Sequence, residues 1–442
     1  MRDLVLLSLL PLFLIAMTNR PFIALGMWIW TAMFFPNGWV YGMASVIRYN
    51  LLFTTFAIGG YLLSKEKGPV RWGAVGTLVF IFFIWTTMTT MESSGLPEIS
   101  WEYWSRFFKV ILLFAFIVLI VNKKLHIDFF LWCLVLSIGF YAVLEGLKFA
   151  ASGGGHQISG LPGHILGDRN DLALAFVITL PICVYLLNEY GKEAVMTKLL
   201  LVMTLIAMVI SVVGTQSRGG LIALLGLGLY LFAKSNRKFP LLVVIVIALG
   251  LSSMLITDQW RERMDTISNA NEDASFMGRV VAWKLSLILA LQYPVFGGGF
   301  KTLEFFPVWR SLSQQFQSLP FFYTGTAVPD TIASHAAHSI YFQVLGDHGF
   351  IGLVIYLSLL FLAFRTAGSV AERARQQNAE PWIISLTTML RLSIFAFCLG
   401  GAALSFAYFE VIFAIFGLIV VLDKKIVPVH STLPTSNVRK AI

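Results

Sequence analysis

The 442-residue chain is 57% hydrophobic and 14% aromatic, only 12% charged, and its mean hydropathy is +0.79. No soluble globular protein of this length tolerates that composition on its surface, so lipid is the principal solvent and the expected class is an all-α integral membrane protein. The formal charge of +9 is not a nucleic-acid footprint, because Lys and Arg are spread over short loops and not gathered on one domain. The 12 Trp and 13 Tyr suit the headgroup level of many spans better than a single anchor. Cys133, Cys183 and Cys398 all fall in apolar runs without a partner at metal spacing, so neither a disulfide framework nor a zinc site is indicated.

A pass through the bilayer takes roughly 20 apolar residues, and about 12 segments qualify or nearly so. In chain order they lie near 3–35 (one pass or two), 50–64, 73–90, 106–122, 127–149, 170–188, 195–213, 219–233, 240–257, 339–364, 383–402 and 404–422. The first has a signal-like apolar run without a small-residue cleavage pattern and reads as a retained span. Arg20-Pro21 divides it, so one broken pass gives 12 spans and two give 13. No soluble domain remains, and residues 1–442 read as one polytopic membrane domain.

The basic connections are Lys65/Lys67/Arg71, Lys123/Lys124, Lys192/Lys198, Lys234/Arg237/Lys238, Arg365/Arg373/Arg375 and the tail from Lys424. They alternate correctly if all are cytoplasmic. The opposite, periplasmic face then receives 91–105, 150–169, 214–218 and 258–338. Segment 91–105 carries Glu92, Glu98 and Glu102 among Trp101, Tyr103 and Trp104, as a non-cytoplasmic edge with an aromatic belt should. Segment 258–338 is the long extramembrane stretch, and ordered loops of that length are usually functional. Within it, the run from Met277 reads as an interfacial helix, interrupted by Arg279 and Lys284 and ended by Pro294 and Gly297, Gly298 and Gly299.

Arg218 stands at the outer mouth of a span, before Gly219 and Gly220. A helix N-terminus, glycines that admit a ligand to the backbone and a guanidinium together suit a phosphate, although arginines at span ends also bind lipid headgroups. Arg279 has Trp283 one turn later, a pairing that suits either a lipid phosphate or plain interfacial anchoring. His335 and His338 would share a face if helical; a metal site with a distant carboxylate is one reading, and His338 as a general base is the preferred one. His348, about 15 Å deeper by helical rise, reads as a hydrogen-bonded core histidine beside Asp347. Glu145 and Lys148 read as an intrahelical pair, and Arg391 and Glu410 are further charges within spans. Glu410 could orient a base or substrate, and His156, His164, Asp168 and Arg169 could add contacts on the same face.

Three motifs in order, SRGG from Ser217 to Gly220, GRVVAWKLSLILALQYPVFGGGF from Gly278 to Phe300 and HSIYFQVLGDHGFIGL from His338 to Leu353, resemble the bacterial O-antigen ligase and polymerase superfamily. The resemblance implies a GT-C-like membrane glycosyltransferase in the bacterial inner membrane with a periplasmic active site. It implies transfer of a glycan from undecaprenyl diphosphate to an acceptor hydroxyl, with inversion and with no metal or cofactor. Arg218 and Arg279 would hold the donor diphosphate and His338 would take the acceptor proton. Gly219, Gly220, Trp283, His335, Arg169 and Glu410 would support them. Its leading form is a ligase joining O-antigen to the lipid A-core, with membrane lipids as surroundings and no nucleic acid involved. A polymerase or a protein O-glycan ligase of the same superfamily is the near alternative, a lipid-linked glycan transporter or flippase the alternative from another class, and a structural scaffold comes last.

Overall fold

The computed structural model describes residues 2–18, 20–65, 67–234, 274–320 and 333–428. The expected span at 240–257, Arg237 and Lys238, and parts of the 258–338 segment lie outside the described residues. What is described is helical, without a strand. Among the described residues, seven helices are long and apolar enough to cross a membrane. They are α5 (Gly73–Met91), α6 (Pro97–Ile120), α7 (Lys124–Ala151), α8 (Arg169–Tyr190), α9 (Val195–Gly214), α13 (Ile340–Gln376) and α14 (Pro381–Gly401). Shorter apolar helices accompany them: α1 (Arg2–Thr18), α2 (Pro21–Phe34), α4 (Tyr49–Leu63), α10 (Arg218–Lys234) and α15 (Glu410–Val421). Also described are α11 (Ala274–Gln292) and the small helices α3 (Met43–Val46) and α12 (Phe306–Gln314). Large apolar side chains such as Leu229 (69% exposed), Phe361 (64%) and Val354 (62%) point outward from the bundle, as lipid-facing residues do and a water-facing surface would not. The chain is a multi-pass membrane protein.

Several expected boundaries shift. Segment 3–35 is an antiparallel hairpin and not one broken pass, because the Asp3 carboxylate at the start of α1 accepts the Tyr41 N–H (2.8 Å) beyond the end of α2. Trp101, Tyr103 and Trp104 belong to α6, which Pro97 opens at its first turn, where the missing N–H costs nothing. Arg365, Arg373 and Arg375 ride on an extension of α13, not on a loop. The last segment is helical only from Glu410, and 402–409 forms a turn whose Ser405 and Tyr408 reach inward.

The largest departure is inside α13, which breaks at Gly349 (φ 69°, ψ −171°), a region of backbone space that is essentially glycine-only. In a bilayer the carbonyls freed by a break must find donors. The triple-glycine segment supplies them: the Gly298 N–H meets the Gly346 carbonyl and the Gly299 N–H the Asp347 carbonyl, both at 2.8 Å, while the Phe350 N–H donates to Pro294 (3.0 Å). A Cβ at Gly349 would sit 2.5 Å from the Val295 oxygen and 2.8 Å from that of Pro294. Gly349→Ala is therefore expected to cost about 1–3 kcal/mol for the backbone alone, with the clash in addition. The readout is a lower unfolding temperature in detergent, against Gly228→Ala as control, where a Cβ meets nothing within 4 Å.

Around this junction Phe82, Phe300 and Tyr408 pack on His348, with Phe107 behind Tyr408, and the His348 Nδ1 is 2.6 Å from the Thr89 hydroxyl. His348 is thus a core histidine as expected, but Thr89 and not Asp347 is its partner. Glu145 pairs with Lys148 (2.6 Å) and also with His156 (2.7 Å). A second small core lies in the 274–320 segment, where Ala282, Leu285 and Leu289 of α11 meet Trp309, Leu312, Phe316 and Ala337. Lys284 is wholly buried there, donating to the Leu319 carbonyl (2.9 Å) with its ammonium over the Phe316 ring.

Candidate functional site

His338 lies in the turn before α13, not on a helix, so the expected helical face shared with His335 does not form; α13 begins at Ile340, after Ser339. Its φ of 46° puts a non-glycine residue in left-handed space, a strain that needs holding in place. The hold is a hydrogen bond from the His338 N–H to Ser405 Oγ at 2.7 Å. On the other side, the Ser334 hydroxyl donates to the Glu304 carbonyl (2.6 Å), tying the segment to the loop after the glycines.

Four charged or titratable groups act on the half-buried His338 imidazole. Burial is the first cause that holds its pKa below 6.5, and the Arg279 guanidinium is the second. Asp168 and then Glu304 pull it upward, and His335 adds a smaller push down. The balance leaves a neutral imidazole, the form that can accept a proton.

Each of these groups is set by its own element. Asp168 is the N-cap of α8, its Oδ1 accepting the Asn170 N–H at 2.7 Å, which places Arg169 at the first helical position. Arg279 stands on α11 and is partnered within the fold; Trp283, one turn on, stacks on Phe342 (5.4 Å between centroids, 7° between planes). The Trp283 indole nitrogen is buried without a hydrogen-bond partner among the described residues. His335 is exposed, its ring edge-on to Trp309.

Arg218 opens α10, and Ser217 caps that helix, its Oγ accepting the Gly220 N–H (3.2 Å). Gly219 and Gly220 are buried and serve helix packing: a Cβ on Gly220 would meet Ala173 of α8 at 2.6 Å, and one on Gly219 would meet Ala403 at 3.3 Å. The turn after α14 therefore touches α10 through Ala403 and His338 through Ser405, and α8 touches α10 just below its own Asp168 and Arg169. These contacts bring the mouths of α8 and α10 to the His338 turn. Arg218 is partnered within the fold. Glu410 lies elsewhere, within electrostatic reach of Arg106 and Lys109 of α6, with one carboxylate oxygen buried and without a hydrogen-bond partner among the described residues. His164 stacks on Phe35 and meets the Ala32 carbonyl (2.8 Å), a packing role, and His156 belongs to the Glu145 pair.

Lys301, Glu304 and Tyr408 of this neighbourhood were not singled out from the sequence. Lys301 (φ 62°) follows the triple glycine; its ammonium pairs with Glu304 (2.6 Å) and lies 4.9 Å above the Tyr103 ring, and its N–H reaches Asp347 Oδ1 (3.2 Å). Burial opposes the Lys301 charge, but Glu304, Tyr103 and Asp347 outweigh it and hold its pKa above the usual lysine value. Tyr408 donates to the other Asp347 oxygen (2.9 Å). Lys301, Glu304, Asp347, Gln343 and Ser286 line a narrow polar cleft beside Ala337. The signal was present as two opposite charges three apart, KTLE, in an otherwise aromatic stretch.

Residues 203–357, from within α9 to within α13, match the O-antigen ligase family. The match makes this part of the chain an O-antigen ligase domain and supports that superfamily for it. The domain contains Arg218, Arg279, His338, the Lys301–Glu304 pair and the break at Gly349. Residues 1–192 match a separate family of unknown function, DUF5935, which here contributes Asp168 and Arg169. No curated protein matches the chain. The O-antigen ligase domain thus holds the base candidate and both arginine candidates, while the N-terminal family frames one side of the same mouth.

Proposed function

We propose that the protein transfers a glycan from undecaprenyl diphosphate to an acceptor hydroxyl at the periplasmic face of the bacterial inner membrane, with His338 as general base and Arg218 and Arg279 as the diphosphate ligands. The observation that carries this is the convergence of a strained histidine, Glu304 and Arg279 of an O-antigen ligase domain with Asp168 of the N-terminal half at one mouth. In the proposed step His338 accepts the acceptor proton as that oxygen bonds the anomeric carbon from the face opposite the diphosphate. The glycosidic C–O bond breaks, its electron pair leaves with undecaprenyl diphosphate, and configuration inverts. The guanidiniums offset the charge that gathers on the leaving group, the largest electrostatic demand of the reaction.

The lipid A-core is the acceptor of the leading reading. A protein hydroxyl is the second, favoured by one observation: the half that borders the mouth through Asp168 and Arg169 belongs to a different family, so acceptor choice need not follow the O-antigen ligases. A transporter would show broken helices lining a path. The break in α13 instead has its carbonyls occupied by the Gly298 and Gly299 N–H groups, which supports a docking role for it.

Purified protein incubated with an undecaprenyl-diphosphate-linked glycan, in EDTA, with a rough lipid A-core or with a Ser/Thr-rich protein acceptor separates the readings. A glycan-capped lipid A-core supports the leading one and a glycosylated protein the second. A lengthened donor glycan indicates a polymerase. Active-site-independent movement of donor across vesicles, without any transfer, would sink the glycosyltransferase reading.

A further inference from the structure

At the end of the bundle that carries Lys123 and Arg20, away from His338, the ends of α2, α4, α6 and α7 enclose a cleft of about 450 Å³. Its lining includes Arg20, Lys123, His126, Tyr61 and Asn122, and no carboxylate is among its described lining residues. Neighbouring Lys124 is committed elsewhere, to Asp128 (2.7 Å) and Glu189 (3.5 Å). Lys123 and Arg20 are exposed and form no ion pair among the described residues. The floor is the first turn of α7, whose N-cap Lys123 provides no side-chain cap. The positive end of a helix of 28 residues therefore opens into the same space as two cations. The His126 ring is packed flat on Phe22 (4.3 Å, 12°), with Nδ1 buried and outside hydrogen-bonding geometry with any described group.

We propose that this cleft binds a phosphate group, held by Arg20, Lys123 and the α7 N-terminus. A phosphate entering this cleft satisfies a guanidinium, an ammonium and helix N–H groups at once. The position favours a phosphate delivered on an anionic lipid: the apolar wall of Leu119, Ile120 and Leu125 continues the lining toward the hydrocarbon, and basic clefts between span ends recognise such headgroups. The site lies outside the O-antigen ligase domain, so it does not depend on the catalytic reading.

The test uses the full chain in neutral detergent, with phosphatidylglycerol, phosphatidylcholine or inorganic phosphate as probes and two readouts, bound lipid by native mass spectrometry and unfolding temperature. Phosphatidylglycerol is expected to be retained and to raise the unfolding temperature. Arg20→Gln/Lys123→Gln should weaken retention roughly 30-fold, about fivefold per cation removed. Lys192→Gln/Lys198→Gln removes the same charge from the junction of α8 and α9 and should leave retention unchanged. Stabilisation by inorganic phosphate alone, lost in the Arg20/Lys123 variant, supports the phosphate site and assigns its source to a soluble anion. Equal losses in the two double variants, or none in either, overturns the proposal in favour of general surface charge.

Discussion

Replacing His338 with alanine is expected to lower glycan transfer by about 10²- to 10⁴-fold with little change in unfolding temperature, the range lost when a positioned base is removed. The side chain is half-buried and its backbone N–H bond to Ser405 survives the substitution, so stability is not the principal casualty. The pH profile carries a second part of the prediction. The base works when neutral, so activity falls as pH drops through its pKa, which burial first and Arg279 second hold below 6.5. The acid limb of kcat/KM should accordingly lie below 6.5. Glu304→Gln removes a charge that favours the imidazolium, so it should move that limb to still lower pH. Initial rates across about pH 5 to 8 decide it. Near-full activity of His338→Ala at normal protein levels would end its assignment as the base.

Arg279→Ala should cost roughly 3 to 4 kcal/mol of transition-state stabilisation, about 10²- to 10³-fold in rate, if its guanidinium meets the departing diphosphate. Lysine should restore only part, since an ammonium lacks the two-pronged fit to phosphate oxygens. Removing Arg279 also lifts a positive charge from beside His338, so the acid limb should move up in pH. Arg218→Ala should lose comparable rate, as expected of a second diphosphate ligand. A rate loss together with an upward limb shift in Arg279→Ala would place its guanidinium beside both the diphosphate and the base. If both retain wild-type kcat/KM for a lipid-linked donor, neither is a diphosphate ligand.

The membrane class and most helices were legible in the sequence because each is a local property: a run of apolar residues buries its backbone bonds in its own helix wherever it lies in the bilayer. The motif-bearing residues were legible too, because Arg218, Arg279 and His338 are polar intrusions into apolar surroundings. What each of them touches was decided only by the tertiary structure. His335 and His338 are three apart and look helical, yet Ser405, 67 residues on, captures the His338 N–H and fixes the residue in left-handed space before α13 begins. The run through Gly349 reads as one continuous span until Gly298 and Gly299 supply the donors that make a break affordable in lipid. Lys301 and Glu304 gain meaning only once the same glycine turn carries them to Asp347, Tyr103 and the His338 segment. Glu410, equally conspicuous in the sequence, faces Arg106 and Lys109 instead. Hydropathy fixes which segments enter the bilayer, whereas long-range hydrogen bonds and packing choose which polar groups meet at its edge.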